Sequence, residues 1–191
     1  VARRDEVVEI TMGGQYVRVH GAYLSMIEAR GHAGYAHGAD GKSRWVDSEM
    51  LTAESVEAML RGFQGILVPG GFGDRGIEGM IAACRYAREN HIPYFGICLG
   101  MQIAVIEYAR HVLGLPEANS REFSQGDALV IDLMEEQQGV AQKGGTMRLG
   151  RYPCKVLPGT MLEKAYGEPL IWERHRHRYE FNNDYRRELQ N

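Results

Sequence analysis

An open, mainly parallel sheet with helices on both faces, carrying a small antiparallel extension, is the α/β architecture this sequence predicts. Three observations point to it. Short apolar runs alternate with amphipathic stretches of about 10 to 15 residues between Val7 and Leu113, which is the pattern of parallel crossovers. One run, Ile66 to Val68, is wholly apolar, as suits a strand buried on both faces. After Gly114 the long amphipathic stretches cease and only short strand-like runs remain.

Each element has its own signal. Val7 to Met12 is a β-branched run and predicts a strand. Tyr23, Met26 and Ile27 recur at helical intervals within Ala22 to Ala33, with Gly31 and Gly34 as punctuation. Trp45 and Val46 mark a second strand, after which Thr52 caps a helix carrying Val56, Met59, Leu60 and Phe63 and ending near Gly65. The strand Ile66 to Val68 runs directly into PGGFGDRG. Ile77, Met80, Ile81, Cys84 and Ala87 then form one helical stripe, which the charge of Arg88 closes. Pro93 to Ile97 is the next strand, and Leu99, Ile103, Ile106 and Leu113 line the helix after it. The order is βαβαβαβα. Beyond it, Ala128 to Met134, Met147 to Leu149, Cys154 to Leu157 and Leu170 to Trp172 are the short strands expected to form the antiparallel extension.

Composition bounds the function. The 191 residues predict one domain spanning 1–191, and 44% hydrophobic with 25% charged residues suits a soluble globular chain rather than a disordered or fibrous one. A net charge of −3 gives no bulk reason to bind nucleic acid or an anionic membrane. Three cysteines, Cys84, Cys98 and Cys154, are too few for a disulfide framework and point to a reducing cytoplasm. The N-terminal VARRDEVVEI lacks a signal-peptide apolar block, and no apolar run approaches the roughly 20 residues needed to cross a bilayer.

Crossovers of this kind gather ligands at the carboxyl ends of the strands. Two predicted loops lie there. In Gly96-Ile97-Cys98-Leu99-Gly100, glycines sit two before and two after a nucleophile placed between a strand and a helix, the logic of the GxSxG elbow. The glycines give the turn steric room, and the helix N-terminus beneath the sulfur is expected to favour its thiolate. A bare GxCxG also describes a buried packing cysteine, which is how Cys84, on its helical stripe, and Cys154 are read. The neighbouring loop Pro69-Gly70-Gly71-Phe72-Gly73 exposes backbone N–H groups suited to half an oxyanion hole. It matches neither GxxxxGK[ST] nor a well-placed GxGxxG, so phosphate binding is the weaker reading.

Four segments together carry a family resemblance: Val68–Met80 (VPGGFGDRGIEGM), Ala87–Gln102 (ARENHIPYFGICLGMQ), Gly144–Gly150 (GGTMRLG) and Glu173–Asn183 (ERHRHRYEFNN). They resemble the glutaminase domains of the CTP synthases, within the class I, triad-type glutamine amidotransferases. The likeness runs from about Val8 onward, and GGTMRLG and RHRHRYE separate this family from its sisters more sharply than the cysteine elbow does. The resemblance implies a flavodoxin-like fold and a glutaminase in which Cys98 attacks the L-glutamine carboxamide to form a thioester. It implies backbone oxyanion and substrate contacts from Gly71 and Leu99, and a glutamine-binding segment continuing through Gly100, Met101 and Gln102. Glu122 matches the position that reads the substrate ammonium, and Arg178 the one near its carboxylate. One acceptor and one donor fork suit a zwitterionic amino acid.

The resemblance implies no cofactor in this domain. It assigns ATP, Mg²⁺ and UTP to a synthetase domain, names GTP as activator, and implies a homo-oligomer formed through that domain. It places the triad His and Glu in an FHPE-like segment downstream of RHRHRYE. None of His20, His32, His37, His91, His111, His175 or His177 is followed two residues later by Glu, so the domain is expected to be C-terminally incomplete here. Departures from the family pattern are Gln15 in place of lysine, Gly21 in place of Asp, and a shortened Ser124–Lys143 stretch. The rivals are another class I amidotransferase, a γ-glutamyl hydrolase, and a non-catalytic glutamine-binding remnant. Arg174 to Arg178 also reads as a basic patch, but Glu173 and Glu180 bracket it, which weakens nucleic-acid binding. His175 and His177 lack further ligands at a recognisable metal spacing.

Overall fold

The structure is a computed structural model that describes residues 6–15, 23–133 and 148–190. Tyr16–Ala22, with the Gly21 departure, and Met134–Met147, with the GGTM part of GGTMRLG, lie outside the described residues. The chain forms two compact units, Val1–Asp132 with Phe181–Asn191, and Leu133–Glu180.

The first unit is built on four parallel strands: β1 (Glu6–Gly14), β2 (Ala39–Asp47), β3 (Gly65–Val68) and β4 (Tyr94–Gly96), in the order β2-β1-β3-β4. Helices α1 (Leu24–His37), α2 (Val56–Leu60), α3 (Ile77–Glu89) and α4 (Leu99–His111) connect and follow them. The β1-to-β2 and β3-to-β4 crossovers run in opposite directions across the sheet, so right-handed connections put α1 and α3 on opposite faces. The expected alternation holds from β1 to α4. The core between sheet, α3 and α4 is mainly apolar: Ile66, Val68, Met80, Ile81, Ala87, Leu99, Ile103 and Ile106 are all buried.

Several boundaries differ from expectation, each for a local reason. Helix α1 continues past Ala33 because Gly34 packs against the Ala39 carbonyl, where an added Cβ would sit 2.6 Å from the oxygen; the glycine serves packing, not termination. Helix α2 is short. Thr52 and Ser55 exchange side-chain and backbone bonds at its start, and Phe63 is buried beyond its end. Arg88 lies inside α3 because its guanidinium bonds the carboxylate of Glu107 on α4 through Nε and Nη2 (3.0 and 2.8 Å). Leu113 falls beyond α4. The segment Ala128 to Met134 is not part of the antiparallel extension: β6 (Leu129–Leu133) pairs in parallel with the two-residue β5 (Asn119–Ser120). The chain returns to this unit at Phe181, where Asn182 bonds the carbonyls of Val130 and Leu129 through its N–H and its side-chain amide.

In the second unit β7 (Arg148–Lys155) and β8 (Leu170–His177) pair antiparallel from Arg148 opposite His177 to Lys155 opposite Leu170. What the sequence presents as two short runs is therefore one strand. Between them α5 (Met161–Tyr166) is held by a reciprocal cap, with Thr160 Oγ1 accepting from Glu163 N–H and Glu163 Oε2 accepting from Gly159 N–H.

Candidate functional site

The strand order reverses between β1 and β3, and in an open α/β sheet it is at the carboxyl ends of such strands that ligands gather. Three pieces of the first unit meet there: the end of β1, the loop after β3, and the turn from β4 into α4.

Cys98 occupies that turn. Its backbone sits at φ +56°, ψ −110°, a conformation that costs a side-chain-bearing residue about 1–3 kcal/mol. The flanking glycines explain how the turn closes. A Cβ on Gly96 would collide with the Gly100 backbone, and one on Gly100 would collide with the Val68 carbonyl of β3. The first turn of α4 then begins at once, with Met101 and Gln102 N–H both donating to the Cys98 carbonyl (3.1 and 3.2 Å). Tyr94 ties the turn down by donating its hydroxyl hydrogen to the Gly100 carbonyl (2.8 Å).

The loop after β3 faces the sulfur. A Cβ placed on Gly70 would be 3.3 Å from Cys98 Cβ and 3.6 Å from Sγ. The backbone N–H groups of Leu99 and Gly71 favour the ionised form of the thiol. They do not win: burial, followed by the negative charge of Glu122, holds the Cys98 thiol above its ordinary range. The expectation that the helix N-terminus leaves a depressed thiol is thus corrected, because desolvation of a half-buried sulfur outweighs two backbone donors. Glu122 itself is anchored to the same loop, accepting the Gly73 N–H at 2.9 Å.

The structure therefore brings Cys98, Gly71, Leu99, Gly100 and Glu122 together. Met101 and Gln102 occupy the first turn of α4, Gln102 buried and Met101 exposed. Arg178 belongs to the second unit, immediately after β8. On β8, His175 and His177 place their Nδ1 atoms 3.2 Å apart, and among the described residues no group of three or more His, Cys, Asp or Glu side chains is arranged to hold a metal ion.

Sequence reasoning missed one residue at this site. Gln15, noted only as a departure, is buried to 3% exposure and bonds the loop after β3 at three points. The signal was present: a polar residue directly follows Gly13-Gly14 at the carboxyl end of the β1 run, where an α/β sheet gathers its ligands.

Comparison with known proteins agrees with this geometry. Residues 19–190 match the model of the family "Glutamine amidotransferase class-I". The chain is 61% identical over 181 residues to the CTP synthase of Carboxydothermus hydrogenoformans, covering 93% of this chain and 34% of that protein. It is 51% identical over 191 residues to the CTP synthase of Bacillus velezensis, covering 100% and 36%. The chain thus spans about a third of the length of these relatives. The solved glutaminase domain of Trypanosoma brucei CTPS with bound acivicin superposes with a TM-score of 0.86 at 40% identity, covering 96% of this chain and 71% of that one. Among the described residues no helix is long and apolar enough to cross a membrane. With the elbow, the facing glycine loop and this match in hand, the chain belongs to the class I glutamine amidotransferases and, within them, to the glutaminase domains of the CTP synthases.

Proposed function

We propose that the chain hydrolyses L-glutamine and delivers the ammonia to a synthetase domain of the same protein. The observation that carries this reading is the strained Cys98 turn, whose sulfur faces the Gly70-Gly71 loop that Glu122 anchors through the Gly73 N–H. Cys98 Sγ attacks the carboxamide carbon, and the charge that develops on the oxygen falls to the Leu99 and Gly71 N–H groups. The C–N bond breaks, ammonia departs with an added proton, and water cleaves the thioester to glutamate. In the resemblance, the protons move through a His and Glu downstream of RHRHRYE. Glu122 receives the substrate ammonium, Gly100, Met101 and Gln102 line the substrate segment, and the resemblance gives the carboxylate to Arg178. Glycine loop and elbow suit an amino-acid amide better than a phosphate.

The ammonia then serves an ATP- and Mg²⁺-dependent amination of UTP to CTP, with GTP as activator. The described residues offer neither a phosphate-binding motif nor a metal-binding cluster, so no step of that amination is assigned to them. The test is Cys98→Ala in the full-length protein. Glutamine-dependent CTP formation and ammonia release from glutamine should vanish, while CTP formation from added ammonium persists. Undiminished glutamine hydrolysis by that variant would reject the assignment.

A further inference from the structure

We infer that Gln15 is a positioning residue for the Gly71 N–H, its amide acting as a two-way clip that fixes the loop after β3 against the end of β1. The inference rests on the reading of Cys98 and Gly71 given above. The Gln15 side chain spends its bonding capacity on one short stretch of chain. Its Oε1 accepts the Phe72 N–H at 3.1 Å, and its Nε2 donates to the carbonyls of Gly73 (3.2 Å) and Arg75 (2.8 Å). The Arg75 guanidinium closes the ring by donating to the Gln15 main-chain carbonyl.

The loop needs such an outside restraint. Gly70 and Gly71 carry no side chains to set their own course, and glycine has wide backbone freedom. Holding the Phe72 N–H fixes the peptide on the far side of Gly71, and Gly71 itself is wedged between Gln15 and Leu99. A Cβ there would collide with Gln15 Oε1 and stand 3.1 Å from Leu99 Cδ2. An amide is the side chain that fits, since the loop presents both an N–H to be accepted and carbonyls to be donated to. A carboxylate supplies only the first and an ammonium only the second.

The test compares Gln15→Leu and Gln15→Glu in the full-length protein. For Gln15→Leu, kcat for glutamine hydrolysis should fall roughly 10- to 100-fold with KM changed by less than about threefold, because a displaced oxyanion donor is felt in the transition state. The half-clip Gln15→Glu should fall between Leu and wild type. Two readouts separate positioning from general damage: CTP formation from ammonium, and the plateau rate at which iodoacetamide labels Cys98 once its thiol is fully ionised, a displacement that builds no oxyanion and no longer follows the thiol pKa. Both should stay at wild-type level. Wild-type kcat in Gln15→Leu overturns the inference, as does loss of ammonium-driven synthesis and Cys98 labelling in parallel with kcat. Should Gln15→Leu fail to fold, the near-isosteric Gln15→Glu carries the same criteria. Glutamine hydrolysis surviving Cys98→Ala would instead bring down the underlying reading.

Discussion

Glu122 accepts the Gly73 N–H at 2.9 Å while its charge opposes ionisation of Cys98, so one carboxylate both anchors the glycine loop and restrains the thiol. A substrate ammonium paired with Glu122 would cancel much of that charge. Binding glutamine would then release the nucleophile from its restraint, which links occupancy of the site to its reactivity.

Glu122→Gln isolates the two effects. Loss of the negative charge lowers the Cys98 pKa, so the pH profile of iodoacetamide labelling in the free protein should move to lower pH. Glutamine binding should weaken, by about 10- to 100-fold in KM, since hydrogen bonds to charged groups are worth roughly 1.5–3 kcal/mol. Labelling followed by mass spectrometry reads the first and steady-state kinetics the second; a profile shifted to higher pH would contradict the charge argument.

Cys84 offers a contrast on the neighbouring helix. Burial in the α3 stripe, and then the nearby Glu107 carboxylate, push its thiol up to about 12 from 9.0. It should resist alkylation in the native protein under conditions that label Cys98. The sign for stability follows from linkage. Below pH 9 both folded and unfolded chains hold the proton, and above it the unfolded chain releases it first. Native stability should therefore fall by about 1.4 kcal/mol per pH unit from this group as pH rises from 9.0 towards 12. Denaturant titrations of wild type and Cys84→Ala at pH 8 and pH 10 should show the smaller loss in the variant.

Arg88 and Glu107 tie α3 to α4. The Glu107 side chain is 1% exposed, bonds Arg88 through two guanidinium nitrogens, and has His111 Nδ1 at 3.2 Å. Removing Arg88 takes two charge-assisted bonds from a buried carboxylate and leaves it only His111 among the described residues, so Arg88→Ala should cost about 1.5–3 kcal/mol of unfolding free energy. Replacing both, as Arg88→Met with Glu107→Leu, should recover most of that loss, because two apolar side chains suit the same space. Urea denaturation of the single and double variants measures the difference.

How much of this was legible in the sequence depended on how local the cause was. The strands at Val7–Met12 and Ile66–Val68, the α3 stripe and the GxCxG turn are written in short-range periodicity and in glycine spacing, and they stand in the structure. Arg88 could not be read the same way, because its partner Glu107 comes from another helix and turns a closing charge into a core bond. The parallel pairing of β6 with Asn119–Ser120 and the bonds of Gln15 to Phe72, Gly73 and Arg75 are likewise long-range, set by which strand ends the topology brings together. The direction of the Cys98 shift was hidden for the same reason. The helix N-terminus is visible in sequence, whereas the burial that outweighs it depends on packing.

The backbone of Cys98 supplies a test that does not depend on chemistry. At φ +56°, ψ −110° a residue with a Cβ is strained, whereas glycine is not. Glycine normally destabilises relative to alanine by about 0.5–1 kcal/mol, through its greater freedom in the unfolded chain. At this turn the order should invert. Cys98→Ala keeps the strain and loses only the sulfur, while Cys98→Gly also relieves about 1–3 kcal/mol of strain, so the glycine variant should be the more stable of the two by roughly 0.5–2 kcal/mol. Both lack the nucleophile, which removes any confusion with activity. Urea unfolding of the pair decides it: an alanine variant more stable than the glycine one would mean that the turn holds no strain, and that the sulfur is presented at no cost to the fold.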